Sequence, residues 1–353
     1  MTSIRSILRS TVSFVTRLEW VEALAIGGAG LLGRLLDPRG KPANSSPFDI
    51  DAVYLWVDDS DHDWQLRKAK FAKDATAPGS NAANRFRQFG ELQTSIRMLA
   101  KNAPFIRKVF IVTDKQRPDL SSLGALPFEV ELVFHESFID KKFLPTFSSR
   151  SLAANLHKIP GIAERFLYLN DDTFVASPTK PETWFTETGV RLRYSSTPVP
   201  ARSTLAKREV IYNARWATID LAATKGWQNI PGQIEHGAHP MLKSLMSELW
   251  AEFPKQFEQV SSSRFRTSTE IVPEWLHNLA AIGNGRAELV TGSTYKYIAI
   301  NDITSVGGMA QVLIRRGRIL TVCLNDVAEL SDRRRVEGDR LARRYARLLS
   351  RLY

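Results

Sequence analysis

Short apolar runs that stop on polar groups dominate the middle of this chain. "IDAVYLWVDDSD" is a strand-length apolar run followed by Asp58, Asp59 and Asp61; "KVFIVTD" ends at Asp114, and "RFLYLNDD" at Asn170, Asp171 and Asp172. A fourth run, "ILTVCLND", closes on Asn325 and Asp326. Continuous rather than alternating apolar runs are the pattern of strands buried on both faces. Between the first two runs, "GELQTSIRMLAKNAP" puts Leu92, Ile96 and Leu99 on one helical face and stops at Pro104. "SLAANLHKIPGIAE" repeats a helical pattern before the third run. Strand, helix and strand in alternation predict an α/β fold with a mainly parallel sheet and flanking helices. Such sheets bind ligands at the carboxyl ends of their strands, where these acids would gather in one cleft.

After Pro178 the pattern turns to long, Trp-rich helical segments, clearest in "HPMLKSLMSELWAEFPKQFEQV", before "ELVTGSTYKYIAI" returns to a strand-like run. This predicts a helical insertion at about 179–285 inside a catalytic domain spanning 48–330. The loosely composed "DPRGKPANSSPFD" reads as a linker into that domain. Residues 1–47 would supply an N-terminal amphipathic helix and this linker, with Ile4, Ile7, Leu8, Val15 and Leu18 beside Arg5, Arg9 and Arg17. Residues 331–353 space Leu341, Tyr345, Leu348 and Leu352 along one face of a second basic amphipathic helix. Two readings stand for these ends: contact with an anionic membrane, or packing on the domain. Residues 18–36 look like a span at first, but Glu19, Glu22, Arg34 and four glycines interrupt them, which argues against a transmembrane helix.

Charge narrows the choice of partner. The formal net charge is +11 over 353 residues, which makes nucleic acid, anionic lipid and phosphorylated sugar all candidates. Residues 331–353 hold eight arginines against three acids, and residues 1–47 hold six cations against three acids. The long middle is therefore only mildly basic, unlike a domain that tracks a phosphate backbone, and nucleic acid is not the expected partner. A single cysteine, Cys323, excludes an internal disulfide and a cysteine zinc cluster and fits a reducing, cytoplasmic setting, with peripheral contact on the inner membrane face open to the basic ends.

Adjacent acids after a strand serve as turns or helix caps as often as metal ligands. Here Asp171, Asp172 and Asp326 offer the hard oxygens that Mg²⁺ or Mn²⁺ takes while it holds substrate phosphates. Arginine binds phosphate in a bidentate fork, and Arg85, Arg87, Arg97, Arg264 and Arg266 lie in polar contexts outside the tails. Of the six histidines, His135, His157, His236 and His239 fall in segments of interest, and spacing does not choose a base among them.

The motifs together resemble the Stealth family. "DAVYLWVDDSD" is similar to its first conserved region, and "RFRQFGELQTSIRMLAKNAPFIRKVFIVTD" with "LPTFSSRSLAANLHKIPGIAERFLYLNDD" to its second. "EHGAHPMLKSLMSELWAEFPKQFEQVSSSRFRTSTEI" resembles the third, and "TVCLND" the fourth. The resemblance implies an enzyme that moves hexose-1-phosphate from a UDP-sugar donor to an oligosaccharide or polysaccharide acceptor, releasing UMP, in capsule or surface-polysaccharide synthesis. It implies Asp172, His236 and Arg266 as catalytic residues, with Asp172 or His236 the base. Asp171 and Asp326 would join Asp172 at the metal. Asp58, Arg87, Glu91, Arg97, Asn155, His157, Asn170 and His239 would line the substrate site.

This sequence departs from the family near that site. Leu55 precedes Trp56, Asp59 stands where glycine is usual, and Gln88 and Phe89 replace a usual Asp-Asn pair. Two rival readings remain: a conventional metal-dependent glycosyltransferase that releases UDP, and a non-catalytic sugar-binding or membrane-scaffold protein that keeps the fold.

Overall fold

A computed structural model describes residues 43–77, 79–88, 90–195, 198–202, 210–227, 232–234, 237–291, 294–300, 318–326 and 343. In chain order the first half contains β1 (Ile50–Leu55), α1 (His62–Ala69), α2 (Glu91–Asn102), β2 (Lys108–Thr113), β3 (Glu129–Phe134), α3 (Ser149–Asn155), β4 (Arg165–Asn170) and β5 (Thr173–Val175). The second half contains β6 (Val190–Ser195), α4 (Val210–Ala223), β7 (Gln233–Ile234), β8 (His239–Leu242), α5 (Lys243–Glu252), α6 (Pro254–Ser262), α7 (Pro273–Gly283), β9 (Ala287–Thr291), β10 (Tyr295–Ile300) and β11 (Thr321–Asp326).

The main sheet has the order β3-β2-β1-β4-β8. Its first four strands are parallel, and β8 closes the edge antiparallel to β4. All six residues of β1 are buried, as its unbroken apolar run predicts. Helix α2 covers the sheet with Leu92, Ile96 and Leu99, the face read from the sequence, all fully buried. Its entry needs Gly90, whose φ of 85° lies in the left-handed region that costs other residues energy. The chain leaves β1 toward β2 on one side and returns through β4 on the other. The carboxyl ends of β1 and β4 therefore flank a topological switch point, where open α/β sheets bind ligands.

Two small sheets extend this core. One has the order β10-β11-β5, with β5 antiparallel to β11; the other has the order β7-β6-β9, with β6 parallel to β9. The 179–285 stretch, expected as a helical insertion, thus holds β6, β7 and β8 as well as α4 to α7. The long helical reading of "HPMLKSLMSELWAEFPKQFEQV" gives way to β8, α5 and α6 for local reasons. Pro240 donates no hydrogen bond and suits an edge strand, and Pro254 ends α5 while opening α6. Strand β3 escaped the apolar-run reading because its exposure alternates, with Glu129 out and Val133 in. The two terminal amphipathic helices lie outside the described residues. Among the described residues no helix is long and apolar enough to cross a membrane.

One polar group sits inside this apolar sheet. Asp51 in β1 is fully buried; its carboxylate accepts from Arg107 Nε at 2.9 Å, Arg107 Nη2 at 2.7 Å and the Ala163 N–H at 2.7 Å. It ties β1 to the segments that lead into β2 and β4. Replacing a buried, paired carboxylate orphans its donors. Asp51→Ala should cost about 2–4 kcal/mol of unfolding free energy, measured by urea titration; a cost below ~1 kcal/mol would show that the group is dispensable.

Candidate active site

A cleft of about 440 Å³ opens over the carboxyl ends of the main sheet. Trp56 and Val57 enter it after β1, Asp114 after β2, His135 after β3, and Asn170, Asp171 and Asp172 from the end of β4. Arg85, Arg87, Gln88 and Glu91 come from the turn before α2 and its first residue. Ser149, Arg266 and Asn325 complete the wall.

The turn between β4 and β5 holds the two aspartates by both backbone and side chain. The Leu324 N–H donates to the Asp172 carbonyl at 3.0 Å, which anchors the turn to β11. Asp172 Oδ2 faces the Cys323 thiol at 3.4 Å, and Asp171 Oδ1 accepts the Asp172 N–H at 3.1 Å. Gln88 Nε2 donates to Asp171 Oδ2 at 2.6 Å, while Gln88 Oε1 accepts from Trp56 Nε1 at 2.8 Å. The indole N–H is only a donor, so it fixes which end of the amide faces Asp171. Burial, then repulsion from Asp172, pushes Asp171 up to about 7; burial pushes Asp172 up to about 6, values that belong to the coupled pair.

Arginine side chains balance this charge. Arg266 is half-buried and donates through Nη2 to Ser149 Oγ at 2.5 Å, and desolvation followed by the nearby Arg150 lowers its pKa. Burial, Arg266 and Arg150 push Arg85 down to about 9, and its Nε donates to the Gly79 carbonyl. The loop that carries Arg266 is pinned at several points. Phe147 N–H donates to the Arg264 carbonyl at 2.8 Å, and Phe265 stacks on Phe147 at 5.4 Å. Arg150 Nη1 reaches the Thr267 carbonyl at 2.7 Å and Glu270 Oε1 at 2.9 Å, with Arg150 and Glu270 almost fully buried. A buried ion pair with a backbone contact fixes geometry more surely than it adds stability.

The structure brings Arg87, Glu91, Asn170, Asp171, Asp172 and Arg266 to one cleft, and Asp58, Arg97, Asn155, His157 and His239 do not line it. Asp58 closes its own turn, accepting from the Ser60 N–H and hydroxyl at 2.9 and 2.6 Å. Arg97 donates to the carbonyl and hydroxyl of Ser122, both at 2.8 Å. Asn155 is fully buried and joins α3 to α6 through Ser151 and Ser261. His157 packs on Trp250, and burial pushes its pKa down to about 3. His239 stacks on Tyr168 at 5.8 Å, across the β4 and β8 pairing. His236 and the Asp326 side chain lie outside the described residues. Sequence reasoning did not single out Ser149, Arg150 or Glu270 for the site. Gln88 did carry a signal, its departure from the usual aspartate.

Among the described residues no group of three or more His, Cys, Asp or Glu side chains is placed to hold a metal ion. Asp171 and Asp172 supply two carboxylates, and the third expected ligand, Asp326, is the one whose side chain is not described.

Comparison with known proteins finds the first three conserved regions in order. Models of Stealth protein conserved regions 1, 2 and 3 match residues 48–74, 85–192 and 235–279, together just over half of the chain. An exopolysaccharide phosphotransferase of Nocardia farcinica is 34% identical over 298 residues, 82% of this chain and 58% of that protein. The exopolysaccharide phosphotransferase CpsY of Mycobacterium tuberculosis is 33% identical over 80% of this chain and 53% of its own length. The capsular polysaccharide phosphotransferase fcs1 of Haemophilus influenzae is 32% identical over 64% of this chain and 63% of its own length. The chain thus spans between half and two thirds of these relatives. Among solved structures, mouse xyloside xylosyltransferase 1 aligns over 80% of this chain and 100% of its own at 12% identity and a TM-score of 0.39.

The aspartate pair makes stability depend on pH. The folded pair keeps protons that the unfolded carboxyls, near 3.8, have already released. Its contribution is therefore fully present below about pH 4 and is lost as pH rises through 6 to 7. In metal-free protein, Asp171→Asn should be increasingly more stable than the parent as pH rises from 6 to 8, read as the difference in urea midpoints. A constant difference across that range would show that Asp171 ionises normally.

Proposed function

This chain belongs to the Stealth family, and on that premise we propose that it transfers hexose-1-phosphate from a UDP-sugar to a hydroxyl of an oligosaccharide or polysaccharide acceptor in surface-polysaccharide synthesis. The observation that carries this reading is the half-buried aspartate pair and two arginines, the exposed Arg85 and the half-buried Arg266, lining one cleft at the switch point. Phosphoryl transfer asks a protein for positioning and for charge placed against the phosphate more than for covalent chemistry. The names of the phosphotransferase relatives point the same way.

In the reaction, the acceptor oxygen forms a bond to the phosphorus that bears the sugar. The bond from that phosphorus to the bridging oxygen breaks, UMP leaves with the bridging oxygen, and the anomeric bond stays intact. Asp172, or His236 outside the described residues, takes the hydroxyl proton. An aspartate whose pKa burial has lifted to about 6 is a stronger base than an ordinary one and is still ionised near pH 7. Arg266, held by Ser149, stabilises charge on the transferring group, with Arg85 beside it.

The donor chemistry at the end of β4 fits a hard divalent cation, Mg²⁺ or Mn²⁺. Asp171 and Asp172 bring two carboxylates with accepting capacity beyond the Gln88 and Cys323 contacts, and Asp326 ends the adjoining β11. When bound there, the ion would neutralise the pair and the donor pyrophosphate.

Incubation with UDP-sugars, Mg²⁺ and acceptor should release UMP. Release of UDP alone would favour a conventional glycosyltransferase, and no turnover with any donor would favour a binding protein. Arg266→Ala should lower kcat by about 10²–10³-fold. Arg150→Gln keeps Arg266 but loosens its loop, and should lower kcat by about ten- to hundredfold at temperatures where the protein stays folded, with partial recovery in Arg150→Lys. An unchanged kcat in Arg150→Gln would show that the buried pair serves stability alone.

A further inference from the structure

Away from the active-site cleft, a cavity of about 20 Å³ lies where the three sheets meet. Arg191 of β6, His239 of β8, Thr321 of β11, Asn278 of α7 and Trp184 all line it. Its volume admits one particle of water size. Three buried atoms of its lining residues have no hydrogen-bond partner: Trp184 Nε1, Asn278 Nδ2 and Arg191 Nε. Trp184 and Asn278 are 2% and 0% exposed. Arg191 spends its other two nitrogens on the Glu182 carbonyl and on Glu288, so Nε–H is the one left without a partner.

All three groups are donors, and the amide's orientation follows from its neighbour. The Leu242 N–H donates to His277 Nε2 at 2.9 Å, so Nε2 is unprotonated. Burial pushes this imidazole down to about 4, so it is neutral at pH 7 and carries its hydrogen on Nδ1. Nδ1–H then faces Asn278 Oδ1 at 3.3 Å, which leaves Nδ2 as the amide end without a partner. A water molecule here would accept from these donors but would also need acceptors for its own two hydrogens. A small anion needs only donors. Each of these groups, buried and unmatched, would otherwise lose its hydration without compensation.

We propose that this cavity is a site for one monatomic anion of the chloride class, which joins β6, β8, β11 and α7. Its role is structural. It steadies the chain entering β8, where Gly237 already lies so close to Thr321 that a Cβ would stand 2.5 Å from the Thr321 hydroxyl.

The test uses the full chain. Thermal unfolding is followed in sodium chloride and in sodium gluconate at equal ionic strength, and crystals grown in sodium bromide are examined for anomalous scattering. The expected results are a saturable rise in Tm of at least about 2 °C with chloride and a bromide peak at the cavity. Asn278→Asp, which supplies an acceptor to the same donors, should abolish the chloride response, and Trp184→Phe should weaken it. Equal Tm in both salts with a water at the site would overturn the proposal, as would a chloride response that survives in Asn278→Asp. If Asn278→Asp does not fold, the bromide peak in the parent decides alone.

Discussion

Two adjacent carboxylates taken out of water repel each other, and the parts of this protein around its cleft are arranged as answers to that repulsion. Asp171 and Asp172 follow β4 beside the central strand, where partial burial in the cleft weakens the screening that solvent gives them. Gln88 donates to one and Cys323 to the other, while the guanidinium groups of Arg85 and Arg266 line the same cleft. Desolvation lowers the pKa of both arginines first, and repulsion adds to it, from Arg266 and Arg150 on Arg85 and from Arg150 on Arg266. Each sign of charge is thus held in a place it would leave if the scaffold allowed it. A ligand that carries phosphate and a divalent cation together would relieve both strains.

The scaffold resists this strain at two levels. The apolar strand β1 fixes β2 and β4 in register, and Asp51 locks the opposite ends of these strands with three hydrogen bonds, so the carboxyl ends cannot splay. The loop bearing Arg266 has no sheet of its own. It relies on the Phe147 and Phe265 stack, the backbone contact from Phe147 and the buried Arg150–Glu270 pair. A loop fixed by side chains is more sensitive to substitution than a strand end fixed by a ladder, and the reach of Arg266 depends on Arg150 for that reason.

What could be read from the sequence follows the same division. Buried parallel strands announce themselves as apolar runs, so β1, β2, β4 and β11 and the acids that end them were visible, as was the apolar face of α2. Strand β3 alternates and β8 spans four residues ahead of a helix, so neither gave a run of its own. The linear motifs placed Arg87, Glu91, Asn170 and the aspartates together, because their spacing is set by elements close in sequence. Arg150 and Glu270 lie 120 residues apart, and only the packing of α3 against the loop before α7 brings them together. Asn155 and His157 show the converse. They sit in a motif-rich segment, yet their side chains are spent on holding α3 to α6 and on packing against Trp250.

Gln88 joins these threads. The resemblance to the Stealth pattern implies an aspartate at this position, one methylene shorter than the glutamine that reaches Asp171 at 2.6 Å. A third negative charge beside the pair would raise the cost of holding the carboxylates together and make the charge balance of the cleft depend more on a cation. The amide removes one negative charge and adds a donor, and Trp56 orients it so that the donor meets Asp171. The arginines are retained, so the balance of the cleft shifts toward accepting an anion. A departure that looks in the sequence like a loosened motif is, in the folded chain, a change in the electrostatics of the cleft.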